Sequence, residues 1–178
     1  MTASTSPFGL LEQISESIGS AAVTLPVTKK GEAEWRGIAF RLAGQLFIVP
    51  MAEIDEILYV PEVTRVPGVK SWVNGIANVR GRLLSVVDME QYFDCKTTAS
   101  NKRSRVLASR QGDLYSGFVV PEVLGMQTFT QDAFKSSVQV SKQFEPFVQG
   151  GYERDGQIWT IFSLTRLVLS PEFLQVAV

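Results

Sequence analysis

The feature that most constrains this fold is a succession of short runs in which apolar and polar residues alternate, each closed by a turn. Ile38, Phe40 and Leu42 alternate with Ala39 and Arg41, which is the two-residue period of a strand with one buried face. Similar runs predict strands at residues 38–42, 46–49, 56–60, 73–79, 83–87, 105–108, 114–120, 147–152 and 158–162. Many short strands at this spacing indicate a mainly β fold built as barrels or as a sandwich.

An internal repeat divides these strands into two related sets. Aligning Gly75 with Gly150 places Gly81 on Gly156 without a gap, and the residues that follow match in kind. We interpret the repeat as two related β-lobes, and the alternative is chance similarity among β-rich segments. Each set is followed by a short apolar stretch that predicts a helix, at residues 89–93 and 164–169.

The first 34 residues differ in pattern from the rest of the chain. Between Phe8 and Ile18 the apolar residues lie three or four apart, which predicts an amphipathic helix, and a polar linker follows. We therefore expect an N-terminal helix and linker at residues 1–34 and a β domain at residues 35–178. The helix either packs on the β domain or binds a partner. The two lobes, with strands exchanged between them, are expected at about residues 45–95 and 105–160.

The chain of 178 residues contains no histidine and a single cysteine, Cys95. Ser-His-Asp and Cys-His catalysis, histidine phosphotransfer and the usual zinc sites are therefore excluded. Catalysis by carboxylates or lysine does not need histidine, so a carboxylate-dependent enzyme remains an alternative. The composition thus disfavours an enzyme without excluding one.

Charge and the length of the apolar runs restrict the partners. The 17 basic and 18 acidic side chains give a net charge of −1, which provides no strong field for nucleic acid or for an anionic membrane. No apolar run approaches the ~20 residues of a membrane-spanning helix, and residues 1–7 lack the features of a secretion signal. We expect a cytoplasmic protein that binds no nucleic acid and does not insert into a membrane.

Two charged residues stand beside a turn or a strand end. Arg80 precedes Gly81 between two predicted strands, where its planar guanidinium could bind a carboxylate; the alternative is a solvated surface turn. Asp88 ends a predicted strand and is either a chemically active acid or the N-cap of the next helix. The cap is favoured because no neighbouring acid or lysine supports chemistry. Ser163, another good cap, occupies the equivalent position in the second lobe.

Acidic and basic residues also form two short clusters. Glu53, Asp55 and Glu56 place three acids within four residues. Their spacing does not match a calcium loop, so we predict a solvated edge or an acidic patch that faces a basic partner. The basic residues at 102–105 adjoin a polar stretch, which predicts a flexible connection between the lobes rather than a nucleic-acid site.

Taken together, these motifs resemble the CheW-like coupling domain of bacterial chemosensory arrays. The resemblance covers about residues 35–170, and an apolar strand ending at Asp88 is part of it. Its motifs are Ile54-Asp55-Glu56-Ile57, the loop Val66-Pro67-Gly68 and the segment Gly75-Ile76-Ala77-Asn78-Val79-Arg80-Gly81. Two residues depart from the family pattern: Ser85 stands where proline is usual, and Pro121 where aspartate is usual. The second departure puts the shape of the second-lobe groove in doubt but not the fold.

The resemblance implies two SH3-like five-stranded β-barrels that share an apolar core, with no catalytic centre, no metal and no cofactor. Proteins of this family bridge the cytoplasmic tip of a methyl-accepting chemoreceptor to a CheA-like histidine kinase, and they can join other CheW-like proteins in array rings. By position, the implied receptor-binding groove includes Ile54, Glu56, Gly75, Asn78, Arg80, Val123 and Met126. The implied kinase-binding edge lies near Leu58, Val60, Val63 and Val66.

Within the family, the sequence is most similar to the adaptors of type IV pilus twitching-motility systems. The N-terminal extension, residues 67–72 and residues 171–174 carry this similarity. It implies a non-enzymatic adaptor recruited to membrane-associated, polar arrays. The alternatives are an adaptor of a flagellar or other chemosensory array and, in a different class, a β-barrel module that binds nucleic acid.

Overall fold

The computed structural model describes residues 34–96 and 102–178, in which eleven strands form two sheets. The helix predicted at residues 8–22 lies outside the described residues. The strands are β1 Glu34–Leu42, β2 Gln45–Pro50, β3 Glu56–Tyr59, β4 Val73–Val79, β5 Arg82–Asp88, β6 Arg105–Gln111, β7 Leu114–Val120, β8 Glu122–Thr130, β9 Phe134–Lys135, β10 Val148–Arg154 and β11 Gln157–Phe162. Short α-helices are α1 Met89–Tyr92, α2 Leu164–Val168 and α3 Pro171–Leu174, and single 3₁₀ turns lie at Met51–Glu53, Gln131–Ala133 and Glu145–Phe147.

The strands predicted from the alternating pattern and the two helices predicted from the apolar stretches are present, and the structure adds β8, β9 and α3. Most residues of β8 are partly exposed, so this strand has no alternation of buried and exposed positions. A bulge in its pairing with β1 and a positive φ of 87° at Gly125 interrupt the pattern further. The two-residue strand β9 is too short to carry a period.

Both sheets have the same internal arrangement, which accounts for the repeat in the sequence. Their strand orders are β3-β6-β7-β5-β4 and β8-β1-β2-β11-β10-β9. In each sheet, hairpins from the two halves of the chain meet through a parallel pairing, β5 with β7 or β11 with β2. The expected mainly β fold is confirmed. One sheet has six strands rather than five because β9 adds to the edge at β10.

Within the described part of the chain, three clusters of buried side chains form the apolar core. The largest lies between the sheets and includes Phe40 and Phe47 from one sheet and Val87 and Phe118 from the other. Each sheet also encloses a smaller cluster of its own. We call the five-stranded sheet with its enclosed cluster the first barrel; it is closed where Thr64, in the loop after β3, pairs with the edge of β4.

Two carboxylates hold the short helices in place. Asp88 Oδ1 accepts a hydrogen bond from the Gln91 backbone N–H at 3.0 Å, so the predicted cap of α1 is confirmed. Glu53 reaches α2, where its Oε1 accepts from Ser163 Oγ at 2.9 Å and its Oε2 from the Thr165 N–H at 3.0 Å. Negative charge at a helix N-terminus is favourable. Glu53 therefore links the end of β2 to the C-terminal part of the domain, and the prediction of a solvated acidic edge is wrong for this residue.

We expect Glu53→Ala to lower the free energy of unfolding by about 2 kcal/mol, because a backbone N–H and a hydroxyl lose their acceptor. Glu62→Ala is the matched control, since Glu62 is exposed and lies in a loop. Chemical denaturation of both variants measures the difference. Equal midpoints for the two variants would contradict the proposed link.

Candidate functional site

Charged side chains gather at one open end of the first barrel. The cleft there has a volume of about 420 Å³. We call it the arginine cleft, and its lining residues are Asp55, Glu56, Val79, Arg80, Arg82, Arg110 and Tyr115. All five strands of the barrel and the β4–β5 turn contribute to it, so the fold brings together residues that are far apart in the sequence.

Glu56 is the centre of the arginine cleft. Its Oε1 accepts a hydrogen bond from Tyr115 Oη at 2.6 Å. Its Oε2 is buried and accepts no hydrogen bond from the residues that the structure describes, and the Arg80 guanidinium lies 3.1 Å from it. Burial, then the hydrogen bond to Glu56 and the charge of that carboxylate, raise the pKa of Tyr115 to about 12. Tyr115 therefore remains a hydrogen-bond donor throughout the physiological pH range.

The backbone of Arg80 is held in an uncommon conformation. Arg80 and Gly81 form the two-residue turn between β4 and β5, with φ values of 50° and 80°. Two positive φ values are typical of a type I′ hairpin turn, in which asparagine or glycine is preferred at the first position. An arginine there costs about 1 kcal/mol. Asn78 closes the turn, since its Oδ1 accepts from the Gly81 N–H at 2.9 Å.

Gly75 occupies a position that the first barrel needs for its closure. Its φ is 141°, and a Cβ there would collide with the carbonyl oxygen of Thr64. Thr64 and Ile76 exchange two backbone hydrogen bonds, at 2.8 and 2.9 Å. Gly150 has the equivalent place in the other sheet, where a Cβ would lie 2.6 Å from the carbonyl oxygen of Lys135. Backbone contact accounts for the glycine at both positions.

Two of the apolar residues of the predicted groove contact the core between the sheets, whereas the charged ones line the arginine cleft. Ile54 and Val123 are partly buried against the core between the sheets. Met126 is 57% exposed and lies on β8 opposite Ile38. The structure thus brings Glu56 and Arg80 into direct contact and places Ile54 and Val123 on the same core.

The predicted kinase edge follows β3, which is an edge strand of its sheet. Leu58 and Val63 are partly buried against the cluster inside the first barrel. Val60 is exposed. Val66 borders an apolar cavity of about 290 Å³.

The prediction placed the kinase edge near this strand but named Leu58 and Val60 rather than the outward-facing residues Ile57 and Tyr59. Tyr59 is 77% exposed, and the guanidinium of Arg105 lies 4.3 Å from the centre of its ring. Ile57 also faces outward and is 39% exposed. The alternation within residues 56–60 was the available signal, because it places residues 57 and 59 on one face of the strand.

The three neighbouring acids do not form one patch. Asp55 lies 3.7 Å from the guanidinium of Arg110, while Glu53 and Glu56 have the separate partners described above. Among the described residues, no group of three or more acids or cysteines is placed to hold a metal ion. No helix in residues 34–96 or 102–178 is both long and apolar enough to cross a membrane.

Comparison with known proteins gives consistent results. The family model of the CheW-like domain matches residues 36–172. Protein PilI of Pseudomonas aeruginosa is 39% identical over 173 residues, which is 97% of this chain and 97% of PilI. Chemotaxis protein CheW of Thermotoga maritima is 23% identical over 76% of this chain and 88% of its own length. The crystal structure of the scaffolding protein TtCheW of Thermoanaerobacter tengcongensis has a similar fold, with a TM-score of 0.70 and 21% identity over 79% of this chain and 96% of that chain.

The Tyr115–Glu56 hydrogen bond predicts a pH-dependent difference in stability. Tyr115 ionises near pH 10 when unfolded and near pH 12 when folded, so its contribution is complete below pH 10 and disappears as the pH rises towards 12. We expect Tyr115→Phe to lower the free energy of unfolding by about 1.5 kcal/mol near neutral pH. Denaturation of both proteins across this range should show the gap closing above pH 10, and a gap that stays constant would refute the assignment.

Proposed function

The chain belongs to the family of proteins built on the CheW-like domain, and we propose that it is a non-enzymatic adaptor that couples a chemoreceptor to a CheA-like histidine kinase. The observation that carries the proposal is the family match over residues 36–172, which spans both sheets and the core between them. The cytoplasmic tip of a methyl-accepting receptor and the kinase are the two partners. Other CheW-like proteins in array rings are a third class of partner.

The receptor, in this proposal, binds where apolar and charged groups adjoin. Ile54, Val123 and Met126 would receive apolar side chains of a helical hairpin, in the manner of a helix that lies in a groove. Glu56 and Arg80 supply the polar part of the surface. Gly75 and Asn78 act through the backbone: Gly75 permits closure of the barrel and Asn78 holds the turn that carries Arg80.

The kinase, in this proposal, docks on the edge formed by β3 and the loop after it. An edge strand presents unpaired backbone groups to another protein, and the exposed Tyr59, Ile57 and Val60 add apolar area. Leu58, Val63 and Val66 would support this surface from behind. Successive side chains of a strand point to opposite faces, so β3 offers Glu56 to one partner and Tyr59 to the other.

We assign the adaptor to a pilus chemosensory pathway that controls twitching motility. The similarity to PilI over 97% of both chains supports this assignment. An adaptor of a flagellar or other array is the second candidate, supported by the more distant CheW relatives. The proposed location is the cytoplasm, at membrane-associated arrays.

Arg80 variants test the receptor-binding part of the proposal. We expect Arg80→Ala and Arg80→Asn to weaken binding of a receptor tip fragment about fivefold, with kinase binding unchanged, as measured by isothermal titration calorimetry. Both variants lose the ion pair with Glu56. Arg80→Asn should nevertheless unfold at higher denaturant concentration than Arg80→Ala, because asparagine tolerates a positive φ.

The wild-type protein provides the broader test. If it binds neither a CheA-like kinase nor a receptor tip at about 50 µM, which corresponds to about −6 kcal/mol, the adaptor proposal fails. If it binds the kinase and tip of a flagellar array more tightly than those of a pilus array, only the assignment to the pilus pathway fails.

A further inference from the structure

We propose that the arginine cleft binds a carboxylate of the receptor and that Arg82 is the residue that determines this specificity. The inference rests on the proposed function, since it names the chemistry by which the receptor is recognised. Arg82 follows the turn, begins β5 and is exposed.

The position of Arg82 places it at the mouth of the first barrel. On β5, Leu84 and Val86 belong to the buried cluster inside the barrel, and Arg82 continues the same row of alternate residues outward. On β6, Val106 and Ala108 are inside, and Arg110 continues that row in the same way. Both rows change from apolar to cationic residues at this end of the barrel. The charged cleft is therefore a continuation of the barrel interior and not a set of scattered surface charges.

Among the residues that the structure describes, both acids of the cleft have a cationic partner, but one of its arginines does not have an acidic one. Glu56 is engaged by Tyr115 and by Arg80, and Asp55 lies beside Arg110. Arg82 forms no ion pair with any acid in the described part of the chain, residues 34–96 and 102–178. With three arginines and two acids in its lining, the cleft has an excess of one positive charge.

The excess of one positive charge in the cleft favours a ligand that carries one negative charge. A single carboxylate carries one negative charge and matches the planar fork of a guanidinium in a bidentate contact. A phosphate group carries closer to two charges, and the two acids in the wall would oppose the second one. A cleft of about 420 Å³ can admit a glutamate or aspartate side chain from a protein partner. Arg80, whose side chain is 81% exposed, can contribute to the same contact.

The test compares two exposed arginines by isothermal titration with a recombinant tip fragment of a methyl-accepting receptor. Arg82→Gln removes one cationic side chain of the cleft, and Arg36→Gln removes an exposed arginine of β1, in the other sheet, whose partner is Glu34. We expect Arg82→Gln to weaken binding about fivefold at low salt and less at high salt. Arg36→Gln should bind like wild type, and Arg82→Lys should recover only part of the loss because lysine lacks the planar fork.

The outcomes separate the two proposals. Equal affinities of Arg82→Gln and Arg36→Gln for the tip fragment overturn the arginine-cleft inference and leave the adaptor function intact. A folded wild-type protein that does not bind the fragment overturns receptor coupling and the cleft inference together. Loss of kinase binding in Arg82→Gln also overturns the inference, because it would place Arg82 in the wrong interface.

Discussion

Each sheet is completed by a hairpin from the other half of the chain, and short parallel pairings join the halves. Residues of β11 pair with β2, and residues of β5 pair with β7. Parallel neighbours cannot be joined by a tight turn, so neither half of the chain can form its sheet alone. Completing either sheet therefore requires strands from both halves of the chain, and the aromatic core lies between the two sheets. The ring of Phe144 packs 5.0 Å from Phe47 and 4.6 Å from Phe93, centre to centre.

The candidate site depends on this exchange of hairpins. Glu56 belongs to the first half of the chain, whereas Tyr115 and Arg110 belong to the hairpin supplied by the second half. Because β6 lies between β3 and β7, the phenol of Tyr115 reaches the carboxylate of Glu56. The β4–β5 turn then brings Arg80 to the oxygen that Tyr115 does not reach. A carboxylate with a buried oxygen needs such partners, since an unpaired buried charge is costly. The cleft is thus electrostatically organised before any partner binds.

Local chemistry made much of the fold predictable from the sequence. Alternation revealed the strands, Gly81 and Gly156 marked equivalent hairpins, and Asp88 was identified as a cap because its neighbours offered no other role. What could not be predicted depended on distant partners. Glu53 and Ser163, whose side chains share a hydrogen bond, are 110 residues apart in the sequence. Glu56 and Tyr115, which share another, are 59 residues apart. The sequence did not single out Arg82, because its proposed role comes from the barrel mouth, which only the strand order defines.

The central claim is that one chain holds the receptor and the kinase at the same time, through separate surfaces on either side of β3. Sedimentation velocity of the purified chain with a receptor tip fragment and a CheA-like kinase tests this most directly. We predict a single species that contains all three proteins and that is absent when the chain is omitted. If the tip fragment instead displaces the kinase from the chain, the two surfaces overlap and the account of the molecule as a bridge is contradicted.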